Sequence, residues 1–413
     1  MTIVVPASAA SDIKGAKSYK ITNPYQTVDW NTWGHYKANL HTHSFVSDGE
    51  VGLDEMVEAH YAQGYDILAM TDHGCVNRGW NVKPQPVPVW SYNTLFRKLN
   101  YLTDERYTEI TTGVGRGGRG MTDVPFGIEL NAGSMTKTHV NSFFTDYGQN
   151  IWGIENDYEK LIAGVEAHGG LSHINHPGDW LESRNDVNIA KDPKNINFFA
   201  DLLKKYHSCL GIEINYNYDT ATRNDRVLWD GLLESVIPTG RNVWGFSNSD
   251  AHKISDIHSG FEVFMMPSNN AANVRTAMEN GTFFACGYYG SDASVKYPEV
   301  SGIIVDNSRN QITVQGTGYD TIQWVAKDDT VLCTGNTIDL NAYEGEIGWH
   351  VRAQLIGSGG ICMTQAFITD DGSTPATVPQ EPFFVKLWND FVFAIESTKI
   401  YVIFDELIKE LSN

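Results

Sequence analysis

Short apolar, β-rich runs alternate with longer helix-patterned segments from Gly34 to Tyr297, and this alternation restricts the possible folds more than any other feature of the sequence. The runs are YKANL (36–40), YDILAM (65–70), PFGIEL (125–130), HVNSFF (139–144), GGLSHI (169–174), CLGIEINY (209–216) and NVWGFS (242–247). Between them lie LDEMVEAHYAQG (53–64), NDYEKLIAGVEAHG (156–169) and NFFADLLKKYHS (197–208). In the first of these segments Leu53, Met56, Val57 and Tyr61 share one helical face, and Gly64 suits the position just past a helix end. Seven strands alternating with helices imply a parallel sheet, closed as a barrel or open.

After Glu299 the pattern changes. GIIVD, QITVQG, TIQWVAK, GWHVRAQLIG and QAFITD are short strands separated by turn residues, which predicts a small antiparallel β-sandwich. DDGSTPATVPQEP (370–382) reads as a linker, and the apolar, regularly charged segment after it as a helical tail docked on the barrel or on a second copy of the chain. The expected division is an N-terminal extension (1–34), an α/β unit (35–298), a β-sandwich (299–372), and a linker with tail (373–413). No stretch of 18 uncharged apolar residues predicts a membrane-spanning helix. The five cysteines are odd in number and form no C-x-x-C pair, which predicts free thiols in a reducing compartment. The N-terminus lacks a complete signal peptide, so a cytoplasmic location is expected, with a secreted form whose leader has been removed as the alternative. The net charge of −20 disfavours a grip on long nucleic acid, which needs a Lys/Arg face to displace counterions.

Chemistry enters at the strand ends. ANL is followed by His41 and His43, with Asp48 in the SDG turn beyond; DILAM is followed by Asp72 and His73. GIEL supplies Glu129, KTHV supplies His139, LSHINHP supplies His173 and His176, and GFSNSDAH supplies Asp250 and His252. In a parallel sheet the carboxyl ends of the strands open on one face, so groups spread over some two hundred residues converge. Neutral imidazole and carboxylate suit Zn, Mn or Fe, and the absence of thiolates argues against a structural zinc finger. With Asp72 and the ambiguous His173 set aside, nine candidate ligands remain, which exceed the needs of one ion and fit two or three. Taken singly, each residue is better read as structural: SDG is a turn, and a His at a strand end is usually just hydrogen-bonded. His60, His168 and His207 fall in helical patterns, and His35, His258 and His350 follow no strand-end rule.

A long insertion, Asn77–Val124, contains GVGRGGRGM (113–121). No Lys-Ser/Thr follows the glycines, so this is no P-loop. It reads as a surface loop from which Arg116 or Arg119 could reach an anionic substrate. A second polar insertion runs from Asp179 to Asn195.

The ordered set LHTHS…SDG, GYDILAMTDHG, GIELN, HV, NHPG and NSDAH, over roughly Lys37–Ala285, resembles the PHP (polymerase and histidinol phosphatase) family. The resemblance implies a distorted (β/α)7 barrel bearing a two- or three-metal phosphoesterase site, with the β-sandwich as an appendage. Carried over by position, it implies that His41, His43, Glu129 and Asp250 hold one metal and that Asp48, His73 and His252 hold a second. Glu129 then bridges to a third, held also by His139 and His176. Asp48 stands where family members carry Asp or His. The 77–124 insertion and SNSD in place of Gly-Ser-Asp depart from the family pattern.

The expected activity is hydrolysis of a phosphate ester of a small molecule or nucleotide by metal-activated water, with Asp48 or Asp72 as candidates for proton transfer to the leaving oxygen. One alternative is a metal-dependent amidohydrolase, whose usual carbamylated lysine finds no match at a strand end here. The other is a non-catalytic metal-binding module that recruits a partner.

Overall fold

The computed structural model describes residues 18–88, 96–133, 137–151, 157–215, 219–290 and 296–373. The expected C-terminal tail lies outside the described residues. In chain order the first strands are β1 (Lys20–Thr22), β2 (Gly34–Asn39), β3 (Ile67–Leu68), β4 (Thr122–Asp123), β5 (Ile128–Gly133), β6 (Thr138–Phe143), β7 (Leu171–Ile174), β8 (Cys209–Asn215), β9 (Trp244–Ser247), β10 (Gly260–Met266) and β11 (Phe283–Tyr288). Each of the seven apolar runs is therefore a strand. β10 and β11, buried along their whole length and absent from the sequence reading, add to them.

Pairing departs from an all-parallel sheet. β2–β3 and β7–β8–β9 are parallel, but β6 runs antiparallel to both β5 and β7. The physical reason is chain length. Four residues separate β5 from β6, too few for the crossover that parallel neighbours require. Two single bridges complete the circuit: His73 pairs with Glu129, and Thr42 pairs with Ala251. Pairings thus pass from β2 through β3, β5, β6, β7, β8 and β9 and return to β2 beyond the strand ends.

Helices cover the outside where the sequence placed them. Leu53–Ala62 buries Leu53, Met56, Val57 and Tyr61, the face read from the periodicity. Tyr158–Ala167 starts at Asp157, whose side chain accepts from the Lys160 N–H, a cap for an otherwise orphan donor. The 77–124 insertion contains a helix, Asp104–Thr112, opened by a Thr103 cap and closed by Gly113 at φ 80°. The polar 179–195 segment is not irregular either: short helices span Pro177–Leu181 and Val187–Lys191, and Pro193 opens the helix Pro193–Lys205.

The remaining strands are β12 (Glu299–Asp306), β13 (Gln311–Thr317), β14 (Thr321–Ala326), β15 (Thr330–Thr334), β16 (Thr337–Asp339), β17 (His350–Gly357), β18 (Gly360–Met363) and β19 (Phe367–Asp370), all antiparallel in their pairings. They do not stand apart from the α/β part. β18 pairs with β11, so one eleven-stranded sheet runs from the C-terminal strands through β11 and β10 into β2. The N-terminal segment is built into the same layer: β1 pairs with β19, and Tyr25 stacks on Phe284 at 4.8 Å while its hydroxyl donates to the Phe283 carbonyl.

A buried ionic network docks the helix Asp219–Val236 on the C-terminal strands. Arg352 Nε and Nη2 reach Asp230 at 2.8 and 3.0 Å, and His350 lies 3.2 Å from Asp230 and 2.8 Å from Glu234. Burial pushes the Asp230 carboxyl up, but Arg352 and His350 outweigh it and hold it below the carboxylate range. Burial pushes His350 down, but Asp230 and Glu234 hold it above the imidazole range. A different histidine is simply part of the core: His173 on β7 lies between Phe143 and Phe246, stacked 4.5 Å from the latter, and neither ring nitrogen has a hydrogen-bond partner. Burial drives its pKa down to about 4.

Two stability predictions follow from these contacts. Asp230→Ala leaves the buried Arg352 guanidinium with only Asp329 at 3.3 Å and Gln354 as partners and should cost about 3 kcal/mol. Asp230 stabilises above the ordinary carboxylate pKa and loses that contribution as pH falls through its depressed folded value. His350 stabilises fully below about pH 6.5 and loses its contribution as pH rises through its raised folded value. Urea unfolding across pH should show the gap between wild type and variant narrowing on both sides of neutrality; a gap independent of pH contradicts the network. His173→Leu removes two unsatisfied nitrogens, so stability should be unchanged or raised by about 1 kcal/mol; a loss of several kcal/mol would show that the ring has a polar role.

Candidate metal centre

The chain leaves β2 at Asn39 and bends, so His41 and His43 do not point to opposite faces as they would in a continuing strand. The bend is fixed from outside. His43 N–H donates to the Ala251 carbonyl, and Leu40 N–H donates to Asn248 Oδ1. Both imidazoles then face inward, with Nε2 atoms 3.1 Å apart. The following turn is stapled by Asp72, which accepts from Ser44 N–H at 2.8 Å and from the Ser44 and Ser47 hydroxyls. Gly49 closes the turn where a Cβ would sit 2.7 Å from the Ser44 backbone. Asp48 is thereby presented at the mouth, 30% exposed.

Glu129 lies at the centre, 1% exposed. Its Oε2 lies 3.3 Å from His41, 3.1 Å from His43 and 2.9 Å from His73. Its Oε1 lies 3.0 Å from His139 and 3.3 Å from His176, and accepts from Asn175 Nδ2 at 2.7 Å. Asp250 Oδ1 lies 3.2 Å from His41 Nε2 and 3.3 Å from His43 Nε2. Asp48 Oδ2 lies 3.3 Å from Nε2 of both His73 and His252. All nine residues expected as ligands are brought together. His139 arrives by a route the sequence reading did not foresee: it stands at the start of β6, and the antiparallel direction of β6 carries that end to the carboxyl ends of its neighbours.

The donor set has a specific deficiency. His41 Nδ1 lies 2.8 Å from the buried Glu213 carboxylate, which only accepts, so Nδ1 carries the proton. The neutral ring then presents a lone pair at Nε2 toward Glu129, Asp250 and His43. His252 repeats the pattern, with Nδ1 donating to the Asp250 carbonyl at 2.9 Å and Nε2 facing Asp48. Imidazole nitrogens and carboxylate oxygens thus converge, a donor set suited to divalent cations. The electrostatics divide the rings: burial drives His139 down to about 4, whereas His41 is pushed the other way. Burial opposes this for His41, yet Asp250, Glu213 and Glu129 raise it well above the imidazole range. Burial likewise raises Glu129, but His73, His139 and His41 pull it well below the carboxylate range.

The separations fit a metal. His41 Nε2, His43 Nε2, Glu129 Oε2 and Asp250 Oδ1 stand 3.1–3.3 Å apart along the five edges given above. Two ligands each about 2.0 Å from one ion at a tetrahedral angle lie about 3.3 Å apart, so each of these five pairs is spaced as two neighbours on one Zn ion would be. His139 Nδ1, His176 Nε2 and Glu129 Oε1 form a triangle of 3.0–3.3 Å, a face with open positions beyond it.

Three expected residues fall elsewhere. Asp72 is turned into its serine contacts and does not face the cluster. Arg116 and Arg119 do not reach over the site: both pair with Asp66, at 3.0 and 2.6 Å, and donate to the Tyr65 and His35 carbonyls. Asp66 precedes β3 while the site lies beyond its far end, six residues or roughly 20 Å away in extended chain. The sequence reading also missed Glu213. Its signal was a lone carboxylate in the otherwise apolar β8, where every residue is buried.

No family model and no curated protein matches the chain. Solved structures do. A two-domain protein containing a predicted PHP-like metal-dependent phosphoesterase from Bacteroides vulgatus is 15% identical over 82% of this chain and 96% of that one, with a TM-score of 0.44. PsfC from Pseudomonas syringae is 19% identical over 57% of this chain and 84% of its own, at 0.36. The lesion-specific endonuclease EndoQ from Pyrococcus furiosus is 12% identical over 60% and 56%, at 0.36. The solved structures similar to this chain thus include a PHP-like metal-dependent phosphoesterase, at identities and TM-scores that leave the reading of the site to its own geometry.

Proposed function

We propose that the chain is a metal-dependent phosphoesterase of PHP type, its strand circuit a distorted (β/α)7 barrel, acting on a phosphate ester of a small molecule or nucleotide. The observation that supports this most is the convergence of five imidazoles within 3.3 Å of the two Glu129 oxygens, with Asp48 and Asp250 beside them. The ligands divide into His41, His43, Glu129 and Asp250; Asp48, His73 and His252; and Glu129, His139 and His176, with Glu129 shared through its two oxygens. Zn, Mn or Fe suits this set. Divalent ions held there supply the charge that neutralises phosphate oxygens and lowers the pKa of water toward neutrality.

The protein's own part is to hold and orient. Asn175 fixes the Glu129 carboxylate, and Asp72 fixes the turn that carries Asp48. Asp48 is more exposed than Glu129 or Asp250 and so is the carboxylate placed to meet a leaving-group oxygen. Lys137 stands two residues before His139, 3.6 Å from Asp179, which also pairs with Arg184. These groups put cationic charge beside the His139–His176 side, where an anionic ester would enter.

Purified protein loaded with Mn or Zn should hydrolyse at least one member of a broad panel of phosphomonoesters and phosphodiesters; activity on none, with metal bound, contradicts the reading. His73→Ala combined with Asp250→Ala should lower metal content and activity by roughly 10–100-fold or more, and unchanged metal content by elemental analysis would remove the site. Asp72→Ala should lower stability by about 1–3 kcal/mol through its orphaned hydroxyl and amide partners, whereas Asp48→Asn should lower kcat with little change in unfolding midpoint.

A further inference from the structure

Glu213 occupies a position that no ligand role explains. β8 is buried along its whole length, and a carboxylate there is tolerated only if its oxygens are satisfied. Three groups do so. Oε1 accepts from His41 Nδ1 at 2.8 Å and from Asn248 Nδ2 at 2.9 Å, and Oε2 accepts from the His176 backbone N–H at 2.9 Å. None of these is a ligand atom: His41 faces the cluster with Nε2, and the His176 contact is main chain.

The two histidines belong to different ligand sets. His41 faces Glu129 Oε2 and Asp250, whereas His176 faces Glu129 Oε1 beside His139. Each depends on Glu213 in a distinct way. For His41, the Nδ1–H···carboxylate bond selects the tautomer and ring angle that aim the Nε2 lone pair inward. For His176, φ is 28° and ψ 56°, a left-handed conformation that a side chain of this size adopts only when its surroundings impose it. Pro177 follows, and the N–H of this strained residue ends on Glu213. Glu129 joins the two sets through its two oxygens from the front, and Glu213 joins them from behind.

We propose that Glu213 is a positioning residue shared by two metal sets, so that its loss weakens both together; this rests on the metal-centre reading above. Glu213→Gln keeps the shape, but its amide N–H₂ must confront either the His41 Nδ1–H or the His176 N–H, so one of the two bonds is lost and the other loses its charge. Glu213→Asp keeps the charge on a shorter stem.

The test is a chelator-competition titration with Zn(II) on the full chain, with unfolding midpoints of the metal-free proteins as the control for folding. The Gln and Asp variants are made in three backgrounds that all carry His252→Ala to disable the Asp48 set: that parent alone, with His139→Ala, which leaves the His41 set, and with Asp250→Ala, which leaves the His176 set. The expected result is a loss of Zn(II) affinity of roughly 10–100-fold for Glu213→Gln in both single-set backgrounds. Partial recovery is expected in Glu213→Asp, with metal-free midpoints close to the parent. If the Gln variant does not fold, the Asp variant alone should still show a smaller loss in both backgrounds. Unchanged affinity, or a loss confined to one background, overturns the shared role while leaving the metal centre standing. A wild-type chain that binds no Zn(II) overturns the centre itself and this inference with it.

Discussion

One buried carboxylate organises the molecule. Glu129 is almost wholly excluded from solvent, and five imidazoles approach its two oxygens within 3.3 Å. A charge so placed is costly unless every oxygen is met by a positive partner. Three of these rings have their other nitrogen engaged, His41 with Glu213, His43 with Asp48 and Ser47, and His73 with Asp48, so positive charge for Glu129 comes from protons or ions in the cluster. The ring of strands, the bent strand ends and the strained turns all serve to keep these acceptors facing one another.

The strand circuit achieves this with two bridges whose residues are part of the centre or beside it. The bridge between His73 and Glu129 closes β3 on β5, and the bridge at Thr42, between His41 and His43, closes β2 on the segment after β9. Fold closure and site assembly are therefore the same set of contacts. Strain accumulates at the same places: His176 and Asp250 both adopt positive φ, a conformation that costs on the order of 1–3 kcal/mol each. Hydrogen bonds from their surroundings, such as that of the His176 N–H to Glu213, hold at least one of them there.

Much of this was legible in the sequence because histidines and acids at the ends of apolar runs are conspicuous, and an alternating strand–helix text fixes which ends share a face. The direction of β6 was not legible from periodicity, since the pattern of a strand is the same in either sense; only the four-residue link to β5 carries the information. Glu213 was hidden because one charged letter inside CLGIEINY looks like an alternation defect rather than a design. Arg116 and Arg119 misled because a glycine-rich, basic loop suggests an anion, whereas the anion they hold is the protein's own Asp66. Asp72, adjacent to His73, looked equally chemical, but successive residues at a strand end face opposite sides, here one to the Glu129 cluster and one to a turn. The C-terminal strands were read correctly as antiparallel, but their continuity with β11 depends on long-range pairing at Cys286–Cys362, which local pattern does not encode.

The most direct test of the account is a crystal structure of the protein soaked or grown with Zn(II) or Mn(II), with anomalous difference maps collected at the metal edge. Peaks should fall on both sides of the Glu129 carboxylate, one within bonding distance of His41 Nε2, His43 Nε2 and Asp250, another beside His139 and His176. A map with no peak within bonding distance of Glu129 at saturating metal would contradict it.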